Sequence, residues 1–202
     1  MQIDQVPFCL SLDELALIEL RLAEFQQLNK LENDEWFSEL CFCLLTANSQ
    51  AQRAITIQAH IGTKGFLEYD EELIAGIIKS FGHRFHNKKS NYIVLARKFK
   101  NIKDLLEGKT SAQAREFLVA NVKGLGYKEA SHFLRNVGYA DLAIVDRHII
   151  KFLYQYKLIN EIPATITKKQ YLLLEDLLKR YQIELHRLDL MIWCYITGKI
   201  LK

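Results

Sequence analysis

The segment NVKGLGYKEA, residues 121–130, decides the fold because it places Gly124 and Gly126 between two stretches with helical spacing of apolar residues. Glycine accepts positive φ angles and lets bare backbone approach another surface, so the segment predicts a tight hairpin between two helices. The second helix would begin near Tyr127, with its free N–H groups directed out of the turn. Amides at the positive end of a helix dipole bind phosphate oxygens, which suits a nucleic-acid backbone. A packing corner without a ligand has the same short glycine pattern, so the hairpin alone leaves both interpretations open.

The rest of the chain predicts an all-α fold. Half of its 202 residues are apolar, and nine glycines and two prolines leave little material for the turns of a β-sandwich. The strand-like segment LAIV at 142–145 is too short to form a sheet. Caps and apolar spacing predict helices at residues 11–25, 36–45, 70–81, 87–98, 101–107, 111–121, 130–137, 146–157, 167–181 and 185–197. In the helix at 70–81, Asp70 is the expected cap and Leu73, Ile77 and Phe81 the expected apolar stripe.

Positive charge is concentrated in one part of the chain. The formal net charge is only +3, but seven Lys or Arg residues and no acid lie between Arg84 and Lys103. A run of charge is usually a solvated helix face. Several cations along one track also bind phosphates through the release of counterions, so this stretch favours a DNA partner.

The cysteines and the N-terminus exclude other classes. The four cysteines, at 9, 41, 43 and 194, have neither zinc-site spacing nor the cluster of an iron–sulfur centre, and we expect buried free thiols. The first residues lack the pattern of a signal peptide, and no apolar run is long enough to span a membrane. We therefore expect a soluble cytoplasmic protein without a cofactor or a membrane partner.

Two polar residues stand out near the hairpin. Lys128 lies in the first turn of the second hairpin helix, where the dipole disfavours positive charge and so favours the neutral amine of a nucleophile. Asp146 follows eighteen residues later, at the expected N-cap of the next helix. Taken singly, such a lysine is ordinarily solvated and such an aspartate is ordinarily only a cap.

Together these features resemble a known superfamily. The span KGLGYKEASHFLRNVGYADLAIVDRHII, residues 123–150, resembles the helix-hairpin-helix base-excision glycosylases, with their hairpin, following lysine and more distant aspartate. Within that superfamily the chain is similar to the archaeal-type 8-oxoguanine DNA glycosylase/AP lyases, the second Ogg family. The similarity extends through LCFCLLTANSQ at 40–50, GHRF at 82–85 and the tail at 188–202. It implies one helical domain, 1–202, with two closely packed subdomains, an active-site cleft between them, and the helix-hairpin-helix motif at 111–138.

The resemblance also implies a mechanism of base excision repair. The enzyme flips the damaged nucleotide out of the duplex, and the amine of Lys128 attacks C1′ and displaces the base. Asp146 offsets positive charge on the sugar and helps to deprotonate the lysine. A Schiff base follows, and β-elimination can then nick the strand. The active site needs no metal, although related hairpins hold a monovalent cation with backbone carbonyls that match Val122 and Leu125 here.

Base recognition and DNA binding are assigned to further residues by the same resemblance. Lys202 matches a C-terminal lysine that reaches the base, and Trp193 matches a tryptophan that stacks on it, although core packing explains Trp193 equally well. Phe85 matches a wedge or stacking position, beside Arg84 in the basic stretch. Asn48 matches the polar residue that enters the space left by the flipped base. The hairpin residues expected to contact DNA are Gly124, Leu125 and Gly126.

The expected partner is double-stranded DNA containing 8-oxoguanine, bound by a monomer without an obligate protein partner. Other interpretations stay open. Endonuclease III-like glycosylases for oxidised pyrimidines share the superfamily, but most carry the cysteine cluster that is missing here. Adenine glycosylases typically lack the lysine. A non-catalytic helix-hairpin-helix module would give Asp146 no role, and a helical protein-interaction domain would not need the glycine hairpin.

Overall fold

The computed structural model describes residues 6–202, and in this part of the chain it contains eleven α-helices and no strand. The all-α prediction is confirmed. The helices are α1 (Leu12–Lys30), α2 (Asn33–Thr46), α3 (Ala51–Glu68), α4 (Glu71–Ser80), α5 (His86–Ala96), α6 (Ile102–Leu106), α7 (Ser111–Asn121), α8 (Tyr127–Asn136), α9 (Arg147–Gln155), α10 (Lys168–Leu178) and α11 (Leu185–Thr197). Short 3-10 turns follow α5 and α10 at Arg97–Phe99 and Lys179–Tyr181.

Local signals place most of the helix starts correctly. Ser11 and Glu14 form the predicted capping box of α1, with the Glu14 amide 3.2 Å from the Ser11 hydroxyl. Asp70 accepts the amide of Leu73 at 2.7 Å and so caps α4 as expected. Helix α2 is buried along nearly its whole length from Trp36 onward, which agrees with its apolar composition.

Among the N-terminal helices, one was not predicted and the apolar stripe of another was predicted wrongly. Helix α3 was not predicted, because glycines interrupt its pattern, and Gly62 leaves the helical region entirely at φ 68° and ψ 167°. In α4 the buried residues are Ile74 and Ile78, whereas Leu73 is 48% exposed. Leu73 and Ile77 have the same four-residue spacing as Ile74 and Ile78, so spacing alone did not show which pair faces the core.

The apolar side chains form two main clusters. The larger one is centred on α2 and includes Phe37, Phe66 and Phe133. The other is formed by α9, α10 and α11 and includes Phe152 and Leu188. Helix α8 belongs to the first cluster, but its first residue, Tyr127, packs against the second cluster, to which α9 belongs.

Three cations of the basic stretch stabilise helix ends. Lys89 donates to the carbonyl of Leu44 at 2.5 Å, in the last turn of α2, and Lys103 donates to the carbonyl of Leu31 at 2.7 Å, just beyond α1. Arg97 binds the carbonyl of Phe66 at 2.9 Å, in the last turn of α3. Cations at these positions satisfy free carbonyls at the negative end of the helix dipole. These three side chains therefore have structural partners within the fold.

The cysteines and helices add two observations. Cys41, Cys43 and Cys194 are buried free thiols as predicted, whereas Cys9 is exposed. No helix within residues 6–202 has both the length and the apolar character needed to cross a lipid bilayer.

Candidate active site

The turn between α7 and α8 is the tight hairpin that the glycines predict. The Leu125 amide donates to the carbonyl of Val122 at 3.2 Å, which closes the turn. Gly124 has φ +95°, and a Cβ atom there would lie 2.2 Å from the ring of Tyr92, so both its conformation and its packing require glycine. Gly126 has an ordinary φ of −96°, so the expectation of positive φ at both glycines was wrong for this one.

Lys128 occupies the first turn of α8, as predicted. Gly126 is the N-cap, and its amide donates to the Glu129 carboxylate at 3.3 Å. The Lys128 amine lies 3.5 Å from the other oxygen of Glu129, and its side chain is one-third exposed. Glu129 therefore contacts both the N-cap amide of α8 and the Lys128 amine.

Asp146 is the N-cap of α9. Its Oδ1 accepts the amides of His148 at 2.8 Å and Ile149 at 3.0 Å. Within residues 6–202 no protein group donates a hydrogen bond to its Oδ2. One oxygen thus fixes the carboxylate, while the other is left for a further interaction.

The extended segment at 142–145 leads directly to Asp146. It forms no sheet, but side chains of the C-terminal helices hold it in place. Its backbone amides bind buried side chains of α10 and α11: Ala143 to Glu175 at 3.1 Å, Ile144 to Asp189 at 3.3 Å and Val145 to Tyr171 at 3.1 Å. These bonds satisfy the polar backbone that a neighbouring strand would otherwise pair. They also fix the position of Asp146 relative to the C-terminal helices.

Two buried ion pairs connect this segment to the hairpin helices. Arg115 of α7 makes a bidentate pair with Glu175 at 2.7 and 2.9 Å. Arg135 of α8 binds Asp189 at 2.5 Å. Burial raises the pKa of Asp189 to about 6, and the neighbouring Arg135 opposes that rise. Glu175 and Asp189 each bind an arginine of a hairpin helix and a backbone amide of the extended segment. The ion pairs therefore connect the hairpin, which carries Lys128, to the segment that leads to Asp146.

Lys128 and Asp146 line the same cleft, which has a volume of about 980 Å³. Five other predicted residues also line it: Asn48, Arg84, Gly126, Trp193 and Lys202. Phe85, Gly124 and Leu125 are not part of this lining. Phe85 is exposed beside Arg84, with the guanidinium 5.4 Å from its ring, and the Leu125 side chain is buried in the core.

The cleft is strongly cationic. Seven of its lining residues are Lys or Arg and three are Asp or Glu, whereas the whole chain carries a formal charge of only +3. A concave surface with this excess of positive charge attracts a polyanion.

Two of the predicted base-recognition residues, Trp193 and Lys202, line the cleft, whereas Phe85 does not. Trp193 is half-buried outside the apolar clusters, with its ring 4.7 Å from that of His148 and its buried indole N–H unpaired within residues 6–202. The Lys202 ammonium is bound by Glu39 at 2.7 Å and Gln58 at 2.5 Å. It also lies 4.2 Å from the centre of the Phe42 ring. Core packing therefore does not explain Trp193.

Asn48 and the Val122 carbonyl are two further groups that the sequence assigns to DNA or cation binding. Asn48 lies just after α2 with φ 61°, a left-handed conformation that asparagine tolerates better than most residues. In the hairpin, the Val122 carbonyl already accepts the Leu125 amide, which leaves one lone pair for a cation. Hard backbone carbonyls fit a monovalent cation, and its presence stays a prediction.

The model of the family described as 8-oxoguanine DNA glycosylase (Ogg-HhH) matches residues 18–187. The chain belongs to this family. It is 51% identical over 191 residues to the 8-oxoguanine DNA glycosylase/AP lyase of Methanocaldococcus jannaschii, covering 92% of each chain. It is 42% identical over 190 residues to the enzyme of the same name from Thermotoga maritima, covering 91% of each.

Solved structures agree with this assignment. The crystal structure of the M. jannaschii 8-oxoguanine DNA glycosylase has a TM-score of 0.88, with 93% of this chain and 89% of that chain covered at 51% identity. A second M. jannaschii structure, in complex with a 15mer DNA containing 8-oxoguanine, also has a TM-score of 0.88, at 50% identity and with 93% and 92% covered. The resemblance inferred from the sequence and the helix-hairpin-helix glycosylase fold are both confirmed.

Sequence reasoning missed the polar residues that support this 8-oxoguanine DNA glycosylase site. Glu175, Tyr171, Asp189 and Arg135 bind the backbone or one another in the core, and His148 packs against Trp193. A signal was available for Asp189, which is an isolated acid in the otherwise apolar run LDLMIWC at 188–194. A charged residue at a core-facing helical position requires a buried partner.

Proposed function

We propose that this protein excises 8-oxoguanine from DNA and cuts the strand at the resulting abasic site through its lyase activity. Its membership of the 8-oxoguanine DNA glycosylase family and the names of its relatives support this activity. The observation that carries the proposal is that Lys128 and Asp146, distant along the chain, line one cationic cleft.

In this mechanism Lys128 is the nucleophile. The flipped nucleotide enters the cleft, and the neutral amine forms a bond to C1′ while the bond between C1′ and the base breaks with its electron pair leaving on the base. Loss of a proton from nitrogen and opening of the sugar ring then give a Schiff base. Removal of a C2′ proton eliminates the 3′ phosphate and cuts the strand. Hydrolysis of the Schiff base returns the amine.

Asp146 assists at the sugar. Its Oδ1 is held by two amides at the start of α9, so the carboxylate keeps a fixed orientation while Oδ2 is left for the substrate side. A carboxylate there offsets the positive charge that develops on the sugar and accepts a proton from the Lys128 amine. The cap itself is the positioning device, since it fixes the carboxylate without using both oxygens.

Other groups in the cleft and beside it bind DNA and the base. Backbone amides of the hairpin and Arg84 contact phosphates, and Asn48 enters the space left by the flipped nucleotide. Phe85, exposed beside Arg84, stacks on a neighbouring base. Trp193 and Lys202, which both line the cleft, contact the flipped base. We expect a monomer, acting on the chromosome in a prokaryotic cytoplasm, because one chain carries all of these groups.

Trapping with borohydride tests this function. Duplex DNA with 8-oxoguanine opposite cytosine should give a covalent adduct and release the base, and Lys128→Gln should abolish both. Lys64→Gln is the matched control, because this lysine of α3 is exposed and does not line the cleft. DNA binding without an adduct would instead indicate a non-catalytic module. Cleavage at thymine glycol but not at 8-oxoguanine would indicate an endonuclease III-like enzyme.

A further inference from the structure

His83 belongs to the segment GHRF at 82–85, and the mechanism above gives it no role. It lies in the loop between α4 and α5, but only 2% of its surface is exposed. The two residues that follow it, Arg84 and Phe85, are exposed and are assigned to DNA by the proposed function. A buried polar ring directly before two exposed side chains needs partners inside the fold.

Both ring nitrogens of His83 bind backbone groups, and the two groups belong to different elements. Nε2 lies 3.1 Å from the carbonyl oxygen of Leu45, in the last turn of α2. The amide of Phe85 donates to Nδ1 at 3.2 Å. A carbonyl can only accept and an amide can only donate, so Nε2 carries the proton and Nδ1 has the lone pair. The two bonds therefore require the same neutral tautomer.

The surroundings of His83 favour this neutral form. Burial is the main cause that lowers the pKa of His83 below its usual value, and the bond to the Leu45 carbonyl opposes it. The positive charges of Lys89, Arg53 and His86 lower this pKa further. The neutral ring that makes both bonds is therefore the form present near neutral pH.

The two bonds of His83 lead to two residues that the proposed function places in the DNA. Asn48 follows Leu45 by three residues, just beyond the end of α2, and has φ 61°. Phe85 is the N-cap of α5, and its ring also meets the imidazole edge-on at 6.3 Å and 68°. One buried side chain thus connects the helix end that leads to Asn48 with the helix start formed by Phe85.

We propose that His83 is a positioning residue that holds Asn48 and Phe85 in a fixed relative position, so that Asn48 fills the gap and Phe85 stacks in one step as the damaged nucleotide leaves the duplex. Extrusion of a nucleotide costs unpairing and unstacking energy. Groups that are ordered before they meet the DNA lose less entropy when they offset this cost. The inference rests on the proposed function, since that function assigns Asn48 and Phe85 to the DNA.

Asparagine and glutamine separate the two bonds of His83. His83→Asn places an acceptor oxygen near the position of Nδ1 and so keeps the bond to Phe85, whereas His83→Gln places a donor near the position of Nε2 and so keeps the bond to Leu45. His60→Asn is the control, because His60 is an exposed histidine outside the cleft lining. For each protein, single-turnover release of 8-oxoguanine is measured from a fully paired duplex and from a duplex in which the lesion lies in a bubble of unpaired bases.

We expect each of the two His83 variants to slow release from the paired duplex by about 10-fold, because each loses one of the bonds. Release from the bubble should stay within about twofold, because the nucleotide there is already unpaired. Unchanged release from the paired duplex in either variant would overturn the inference, and so would an equal loss on both substrates. If the unchanged protein released 8-oxoguanine from neither substrate, the proposed function itself would fail, which is a different result.

A double-mutant cycle separates positioning from a general loss of stability. His83→Gln loses only the bond to Phe85, so in a Phe85→Ala background it should slow release from the paired duplex by less than about twofold, since no ring is left to position. A loss as large as the one that His83→Gln causes alone would show that His83 does not act through Phe85, and would overturn the inference.

Discussion

The Tyr171 hydroxyl donates a hydrogen bond to the carbonyl of Ala143 at 2.8 Å, three residues before Asp146. The same oxygen accepts the amide of Val145 at 3.1 Å, so one side chain of α10 satisfies backbone groups on both sides of Ile144. The segment has no strand beside it, and buried side chains replace the missing pairing. The position of the proposed catalytic carboxylate therefore depends on helices that come after it in the chain.

Removing this hydroxyl should affect both stability and chemistry. Tyr171→Phe leaves the Val145 amide and the Ala143 carbonyl without their partner, which should destabilise the fold by about 1–3 kcal/mol. We expect base release to slow more than DNA binding weakens, because the segment positions Asp146. Urea unfolding and single-turnover kinetics measure the two effects, with Tyr154→Phe at an exposed position as the control. If Tyr171→Phe had the stability and turnover of the unchanged protein, Glu175 and Asp189 alone would be sufficient to position the segment.

Asp146 can be tested without removing its cap. Asparagine caps helices about as well as aspartate, so Asp146→Asn should keep the fold and the affinity for DNA. Base release should slow by about 10²- to 10⁴-fold, because the variant loses the negative charge and the proton acceptor. Asp70→Asn, at the N-cap of α4 and outside the cleft lining, is the matched control. Turnover within threefold of the unchanged protein would remove Asp146 from the mechanism.

The anchor of Lys202 gives a third prediction. Glu39 is buried and accepts both the Lys202 ammonium at 2.7 Å and the Asn136 amide at 2.6 Å. Glu39→Gln should destabilise the protein and slow base release, since a largely buried cation loses its partner. A double-mutant cycle with Lys202→Met isolates the pair, and the double variant should lose less stability than the two single losses added together. If the two losses in free energy of unfolding were strictly additive, the contact between Glu39 and Lys202 would contribute nothing to stability.

Lys89 predicts a specific pH dependence. Burial lowers the pKa of this lysine from 10.5 to about 8. Between these values the folded protein binds fewer protons than the unfolded chain, so stability should rise with pH, by about 3 kcal/mol at most. Below pH 8 the full cost of the buried charge is present.

Lys89→Met lacks this titration. The free energy of unfolding of the unchanged protein should therefore rise relative to that of Lys89→Met between pH 8 and pH 10. Lys100→Met, at an exposed position that does not affect the pKa of Lys89, should follow the unchanged protein. Parallel curves for Lys89→Met and the unchanged protein would contradict the lowered pKa.

The sequence was most informative where local chemistry determines the structure. The hairpin follows from glycine, because only a residue without a Cβ atom fits against Tyr92 at the position of Gly124. The capping residues Ser11, Asp70 and Asp146 mark helix starts through bonds within a few residues. The assignment of Lys128 and Asp146 to one site came from family resemblance, since spacing alone does not show that two distant residues meet.

Features that depend on distant contacts were not predictable in the same way. Three cations of the basic stretch donate to carbonyls at the ends of helices that precede them in the sequence, namely Lys89, Arg97 and Lys103. The sequence does not show these partners, so the three charges resembled part of an exposed cationic surface. Helix α3 is interrupted at Gly62, whose backbone lies outside the helical region, and this break conceals the helix in the sequence pattern. The side chains that fix residues 143–145 come from two later helices, and only the fold brings them together.

Mapping the trapped lysine tests the central claim most directly. The adduct formed with 8-oxoguanine DNA and borohydride can be digested, and the modified peptide identified by mass spectrometry. We predict that the reduced sugar is attached to the amine of Lys128 alone. Attachment to Lys123, Lys89, Lys202 or any other amine would contradict the account, because the attacking group would then lie elsewhere.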